Sequence, residues 1–131
     1  MKGSCHIMLI DDDGDDKEFF LMALKKIDPC ISSVTAKDGI DALKILDGAA
    51  TLPDFIFLDL NMPRMNGIQC LIALKKSEKL KHIPVAIYST TRREEDEAEI
   101  RKQGAIHFFT KPTSLQEVCE CISAALALTC K

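Results

Sequence analysis

Residues 6–16 read HIMLIDDDGDD, a short apolar run followed at once by five aspartates in six positions. An uninterrupted apolar run of this length suits a strand buried on both faces of a parallel sheet. The carboxylates at its end repel one another and tend to hold protons. A fold that keeps them together needs a cationic partner from elsewhere in the chain.

Runs of the same kind recur as SSVTA (32–36), DFIFL (54–58), PVAIY (84–88) and AIHFF (105–109). SSVTA is the more polar and suits a sheet edge; the others read as strands buried on both faces. Between the runs lie amphipathic stripes at helical spacing: Phe20, Leu24 and Ile27; Ala42, Ile45 and Leu46; Ile68, Leu71 and Ile72; Leu115, Val118, Cys119, Ile122 and Leu126. Thr91 with Glu94, and Ser114 with Glu117, have capping-box spacing, and Gly48 and Gly104 fall where helices should stop. The alternation predicts five β–α units with no linker or repeat, an α/β doubly wound domain. Residues 92–103 differ: nine of the twelve are charged, and Ala98 and Ile100 are the apolar ones. That helix can bury little and is expected to be the most loosely held.

The chain has 131 residues, 47% of them hydrophobic, which suits one domain with an ordinary core. A net charge of −3 offers no basic surface to nucleic acid. The apolar residues before the aspartates are too few for a signal peptide or a membrane span, and a cytoplasmic protein is expected. Six cysteines form no CxxC, and only Cys5 has a histidine close by in sequence. They read as small apolar fillers in a reducing compartment, not as zinc ligands or disulfides.

In a doubly wound sheet, ligands gather beyond the carboxyl ends of the strands. The first strand ends in Asp11 and Asp12, the third in Asp59, the fourth in Ser89 and Thr90, and the fifth in Lys111. Three carboxylates together suit a hard divalent cation, and Mg²⁺, which uses few carboxylates plus waters and phosphate oxygens, fits best. A hydroxyl and an amine can hold phosphoryl oxygens. With the three acids ionised and Lys111 cationic, one Mg²⁺ balances the formal charge. Asp13, Asp15 and Asp16 read as a solvated helix start, favoured by the helix dipole.

LIDDD, PDFIFLDLNMPRMNG, IPVAIYSTT and GAIHFFTKP follow in order over essentially the whole chain. Together they resemble the receiver domain of bacterial two-component response regulators. The resemblance implies a flavodoxin-like five-stranded parallel sheet in order 2-1-3-4-5 with five helices. It implies that Asp59 accepts a phosphoryl group from a histidine kinase phosphohistidine. Asp12, Asp59 and the backbone carbonyl of Asn61 would ligate Mg²⁺, with Asp11 acting through water. Ser89 would bond a phosphoryl oxygen, Lys111 would pair with the carboxylate or phosphoryl group, and Phe108 would be the aromatic that reorients. A cis Lys111–Pro112 bond is also implied. Two positions depart from the commonest pattern. Ser89 stands where threonine is usual, keeping the hydroxyl; Thr90 stands where a small alanine is typical, beside the path of water to the phosphoryl group.

The expectation is a single stand-alone receiver over residues 1–131, structured from about 5 to 129, with no output domain. It would be a signalling phosphoacceptor that assists only its own phosphorylation and dephosphorylation. Its upstream partner would be a histidine kinase or phosphotransfer protein. Output would pass through the face built from the 92–103 helix, the fifth strand and the last helix, or by onward phosphotransfer. The rival is a haloacid-dehalogenase-type phosphohydrolase with Asp11 as nucleophile, Asp13 as general acid, and Ser89 and Lys111 in later motifs. It lacks an aspartate after Lys111 and a cap insertion, and it leaves Asp59 and NMPRMNG unexplained. A calcium loop read from Asp11 fails, with Asp16 at the required glycine and Met22 at the terminal glutamate. No G-x-x-x-x-G-K-[ST] or G-x-G-x-x-G phosphate loop occurs.

Overall fold

The structure is a computed structural model that describes residues 5–62, 64–90 and 94–129. Strands and helices alternate along the chain: β1 (His6–Ile10), α1 (Gly14–Ile27), β2 (Ser32–Ala36), α2 (Gly39–Asp47), β3 (Phe55–Leu58), α3 (Gly67–Lys76), β4 (Val85–Ser89), α4 (Glu94–Lys102), β5 (His107–Thr110) and α5 (Leu115–Thr129). All strand pairs are parallel and the order is β2-β1-β3-β4-β5, with the switch point between β1 and β3.

Side chains alternate across a strand, so each apolar run supplies both faces of the sheet. Ile7, Leu9, Phe55, Phe57, Ala86 and Tyr88 pack with Phe20, Ala23 and Leu24 of α1 and with Val118, Ile122 and Ala125 of α5. Phe20 meets Phe57 and Tyr88 edge-on, at centroid distances of 5.0 and 5.5 Å. The other face sets Met8, Ile10, Ile56, Leu58, Val85 and Ile87 against Ala42 and Leu46 of α2, Cys70, Leu71 and Leu74 of α3, and Ile100 of α4. The result is a three-layer sandwich whose interior strands are β1, β3 and β4.

Two helix and strand expectations shift. β5, expected to be buried on both faces, is the sheet's second edge, with Phe108 buried but Phe109 only half-buried and Thr110 exposed. On α3 the buried stripe is Gly67, Cys70, Leu71 and Leu74, while Ile68 and Ile72 are half-buried. The cause is Gly67, whose backbone lies against the end of β3 and turns that face inward. On α4, Ile100 is fully buried and Ala98 is exposed. The expected Thr91–Glu94 cap and the start of that helix at Arg92 lie outside the described residues. The Ser114 cap is present, its Oγ accepting from the Glu117 N–H at 3.2 Å. Gly104 ends α4 at a φ of 110°, a left-handed conformation that favours glycine.

The Lys111–Pro112 bond is trans, correcting the expected cis form; no cis bond occurs among the described residues. The trans isomer is intrinsically favoured before proline by about 0.5–1 kcal/mol, and Lys111 reaches the acids without the cis bond. Cys5, Cys30, Cys70, Cys119 and Cys121 are free thiols. Among the described residues no helix is long and apolar enough to cross a membrane.

Candidate functional site

The ladders that build the sheet continue one step past the strands and so place the acids. The Asp11 N–H donates to Ala36 O at 2.9 Å, and the Asp59 N–H donates to Ile10 O at 2.9 Å. Asp11 and Asp59 therefore stand side by side at the switch point, both buried, with Asp12 exposed beside them. One carboxylate oxygen from each of the three lies within 4.8 Å of the others. The fourth member arrives from the far edge. Lys111 N–H donates to Ser89 O at 2.9 Å, extending the β4–β5 pairing and aiming the lysine inward.

Lys111 Nζ lies 2.7 Å from Asp11 Oδ2, 2.7 Å from Asp16 Oδ2 and 3.5 Å from Asp59 Oδ2, and its side chain is only 7% exposed. Burial works against its charge, but the hydrogen bonds to Asp11 and Asp16 and the charges of Asp11 and Asp59 win, holding it above the ordinary lysine range. The reverse balance holds at Asp11. Burial pushes its carboxyl up to about 6, despite Lys111 and the Asp13 N–H, which donates to Asp11 Oδ1 at 3.0 Å. The Tyr88 ring lies under the ammonium, with Nζ 5.8 Å from its centroid.

Two of the three aspartates expected to be a solvated helix start have specific partners. Asp13 is the N-cap of α1, its Oδ1 accepting from the Asp16 N–H at 3.1 Å. Asp16 is bound to Lys111, while Asp15 is exposed as expected. A helix first turn presents acids on one side of the axis, and here that side faces the pocket.

The remaining residues fall around this centre. Ser89 is fully buried as the last residue of β4. Thr90 is exposed and lines an open cleft of about 440 Å³ with Asp15, Asp16, Phe19, Lys111 and Pro112. Phe108 is packed inside with Ile87, Ile100 and Ala105 rather than facing solvent. Asn61 is exposed on the β3–α3 loop.

That loop is fastened in ways the sequence did not suggest. Arg64 adopts a φ of 64° and grips the buried Asp38, its Nε donating to Oδ2 at 2.8 Å and its Nη2 to Oδ1 at 3.0 Å. Asp38 also caps α2 by accepting from the Asp41 N–H at 2.9 Å, and this bond, ahead of Arg64, holds its carboxyl below the usual range. Next to Arg64, Met65 fills the space over Gly39, where an added Cβ would lie 2.7 Å from its sulfur. Asn66 and Gln69 form a reciprocal capping box that starts α3.

The pocket thus combines hard oxygen donors, a net excess of negative charge over one ammonium, and an open side at Asp12. Those are the properties of a divalent-cation site that also admits an anion carried by the metal and the lysine. The family pattern of the response regulator receiver domain matches residues 7–123. The chain belongs to this family.

Among curated relatives, the protein PilG of Pseudomonas aeruginosa is 36% identical over 119 residues, covering 90% of this chain and 84% of PilG. The two-component response regulator ORR8 of Oryza sativa is 32% identical over 115 residues, covering 88% of this chain and 93% of ORR8. Among solved structures, the phosphorylated cyanobacterial phytochrome response regulator RcpA superposes with a TM-score of 0.87 at 27% identity, covering 96% of this chain and 94% of that one. The receiver match spans Asp59 and the loop after it, and the phosphohydrolase alternative with Asp11 as nucleophile finds no support.

Proposed function

We propose that this receiver takes a phosphoryl group onto Asp59 from the phosphohistidine of a histidine kinase or phosphotransfer protein, in a cytoplasmic signalling pathway. The observation that carries the reading is the position of Asp59. It is a buried carboxylate at the switch point, flanked by two further acids and 3.5 Å from the amine of a lysine contributed by the far edge of the sheet. A buried acid so placed is costly unless its surroundings serve it.

In the step itself, an Asp59 oxygen attacks phosphorus in line. The P–O bond forms as the P–N bond to the donor imidazole breaks, and the departing nitrogen keeps the electron pair. Lys111 shifts toward the transferring oxygens, and Ser89, at the adjoining strand end, donates its hydroxyl to one of them. Positioning and electrostatics carry such transfers. Asp12, Asp59 and the carbonyl of Asn61 would hold Mg²⁺, with Asp11 acting through water; the donor set fits, being all oxygen, clustered and open on one side. When bound, the ion supplies charge neutralisation for phosphoryl oxygens. Thr90, at the mouth of the cleft, stands beside the path of water and so bears on how long the group persists.

The charge on Asp59 is read through Ser89 and Phe108, which adjoin α4, the helix with the least apolar anchorage. The output surface is accordingly the α4-β5-α5 face, used for contact with a target protein or alongside onward phosphotransfer to a histidine. Incubation with Mg²⁺ and acetyl phosphate, followed by mass spectrometry, tests the assignment. Label on Asp59 alone is expected. Label on Asp11 or Asp13, or no label, would overturn it.

A further inference from the structure

Asp16 stands outside every role assigned above, yet it holds Lys111 as closely as Asp11 does. An ammonium has three protons to donate. At 2.7 Å each, Asp11 and Asp16 take two of them, and Asp59 at 3.5 Å lies beyond good hydrogen-bond range. The Asp16 backbone is fixed by the cap that Asp13 provides, so its carboxylate is presented to the lysine by the helix and not by chance of a loose side chain.

We propose that Asp16 is a positioning residue: the resting counter-ion of Lys111, which the phosphoryl group must displace to engage the lysine. The inference rests on Asp59 being the phosphoacceptor. An acyl phosphate brings roughly −1.5 to −2 charge and strong acceptor oxygens to Asp59. Lys111 can serve it only by giving up an existing partner. Asp11 is completely buried, whereas Asp16 is 39% exposed and can be rehydrated when the lysine leaves. Asp16 is therefore the partner that is released. A contact formed in the resting state and lost in the phosphorylated one favours the resting state by its own free energy. Asp16 thus lowers the affinity of the pocket for a phosphoryl group without touching it.

The size of the effect follows from exposure. A partly exposed pair contributes in the range of surface ion pairs, which corresponds to about a two- to fivefold change in an equilibrium constant. It should weaken with salt, since screening acts on exposed charges.

Asp16→Asn in the full chain provides the test, because it keeps the side-chain size and the backbone cap. The first readout needs no phosphorylation: exchange of the Lys111 ammonium protons by ¹⁵N NMR, which should quicken in the variant. The second is affinity for beryllofluoride with Mg²⁺, expected to rise about two- to fivefold. That gain should shrink in high salt and vanish in a Lys111→Met background. The affinity for Mg²⁺ alone should be nearly unchanged, which a general loosening of the site would not allow. Unchanged or weakened beryllofluoride binding in Asp16→Asn, with Asp59 still labelled by acetyl phosphate, overturns the proposal. A wild type that labels elsewhere or not at all overturns the phosphoacceptor reading, and the role of Asp16 with it.

Discussion

Replacing Gly67 by alanine sets two opposed effects against each other, and the geometry decides between them. Gly67 is the first residue of α3, and in a helix alanine is favoured over glycine by up to about 1 kcal/mol. Its added Cβ, however, would lie 2.7 Å from Leu60 Cα and 3.0 Å from Leu60 Cδ2, and closer still to the Asp59 carbonyl oxygen. Reaching an ordinary contact with Leu60 Cα requires a shift of about 0.7 Å. Two of the three obstacles are backbone, pinned by the Gly67 N–H to Leu60 O and Asp59 N–H to Ile10 O bonds, so no rotamer change relieves them. Overpacking of this kind costs about 1–3 kcal/mol, and the immobile neighbours place it at the upper end. A net loss of about 2 kcal/mol is expected. Because the displaced backbone carries Asp59, stabilisation by Mg²⁺ should fall as well. Gly14→Ala is the control: it is also a first helical residue, but its Cβ would meet nothing within 4 Å, so stability should hold or rise. Urea midpoints with and without Mg²⁺ measure both. If Gly67→Ala matches or exceeds the wild type, the reasoning that this glycine is set by close approach is refuted.

Other outcomes follow from the same geometry. Mg²⁺ at a hundredfold excess over its Kd should stabilise the wild type by about 2.7 kcal/mol and Asp12→Asn by much less; an unmoved wild-type melting temperature would reject the metal site. Asp38, held below the unfolded carboxylate value, lends stability that is present above that value and is lost as pH falls through the folded one. Asp38→Asn removes this titration yet can still accept the Asp41 N–H, so its acid unfolding limb should be flatter than the wild type's, and identical limbs would exclude Asp38 as a contributor. Burial pushes the Cys70 thiol up to about 12, so a thiol reagent should modify exposed Cys30 in the native protein and reach Cys70 only on unfolding; equal rates would contradict the packing of α3. Hydrogen exchange with Mg²⁺ and beryllofluoride should change protection chiefly between residues 89 and 112, and changes confined to α2 would exclude the α4-β5-α5 output face.

The strands were legible because burial on both faces of a parallel sheet writes an uninterrupted apolar run. β1 and β2 match their runs residue for residue, and β3, β4 and β5 lie within two residues. β5 misled for the same reason: its edge position is a property of strand order, which periodicity does not carry and only the motif resemblance implied. The acids at the strand ends were legible because a buried charge after an apolar run demands a purpose. What escaped was pairing at a distance. The Asp16–Lys111 contact spans 95 residues and the Asp38–Arg64 contact 26, and neither leaves a local pattern. Asp16 looked like any acid in a helix first turn, since the dipole favours carboxylates there whether or not a lysine waits opposite. The left-handed Arg64 gave no signal either, because arginine has no preference for that conformation.

The lysine that answers the acids lies 100 residues after the first of them. During synthesis, Asp11 and Asp59 can meet once β1 and β3 have paired, while the segment bearing Lys111 is still to come. The half-made sheet therefore holds its acids uncompensated, and its open β4 edge is exposed as well. Only when the last strand docks on β4 does Lys111 reach the acids, so the pocket is completed late, with α5 alone still to pack. A copy truncated before β5 would keep Asp11 and Asp59 yet lack the amine that answers them.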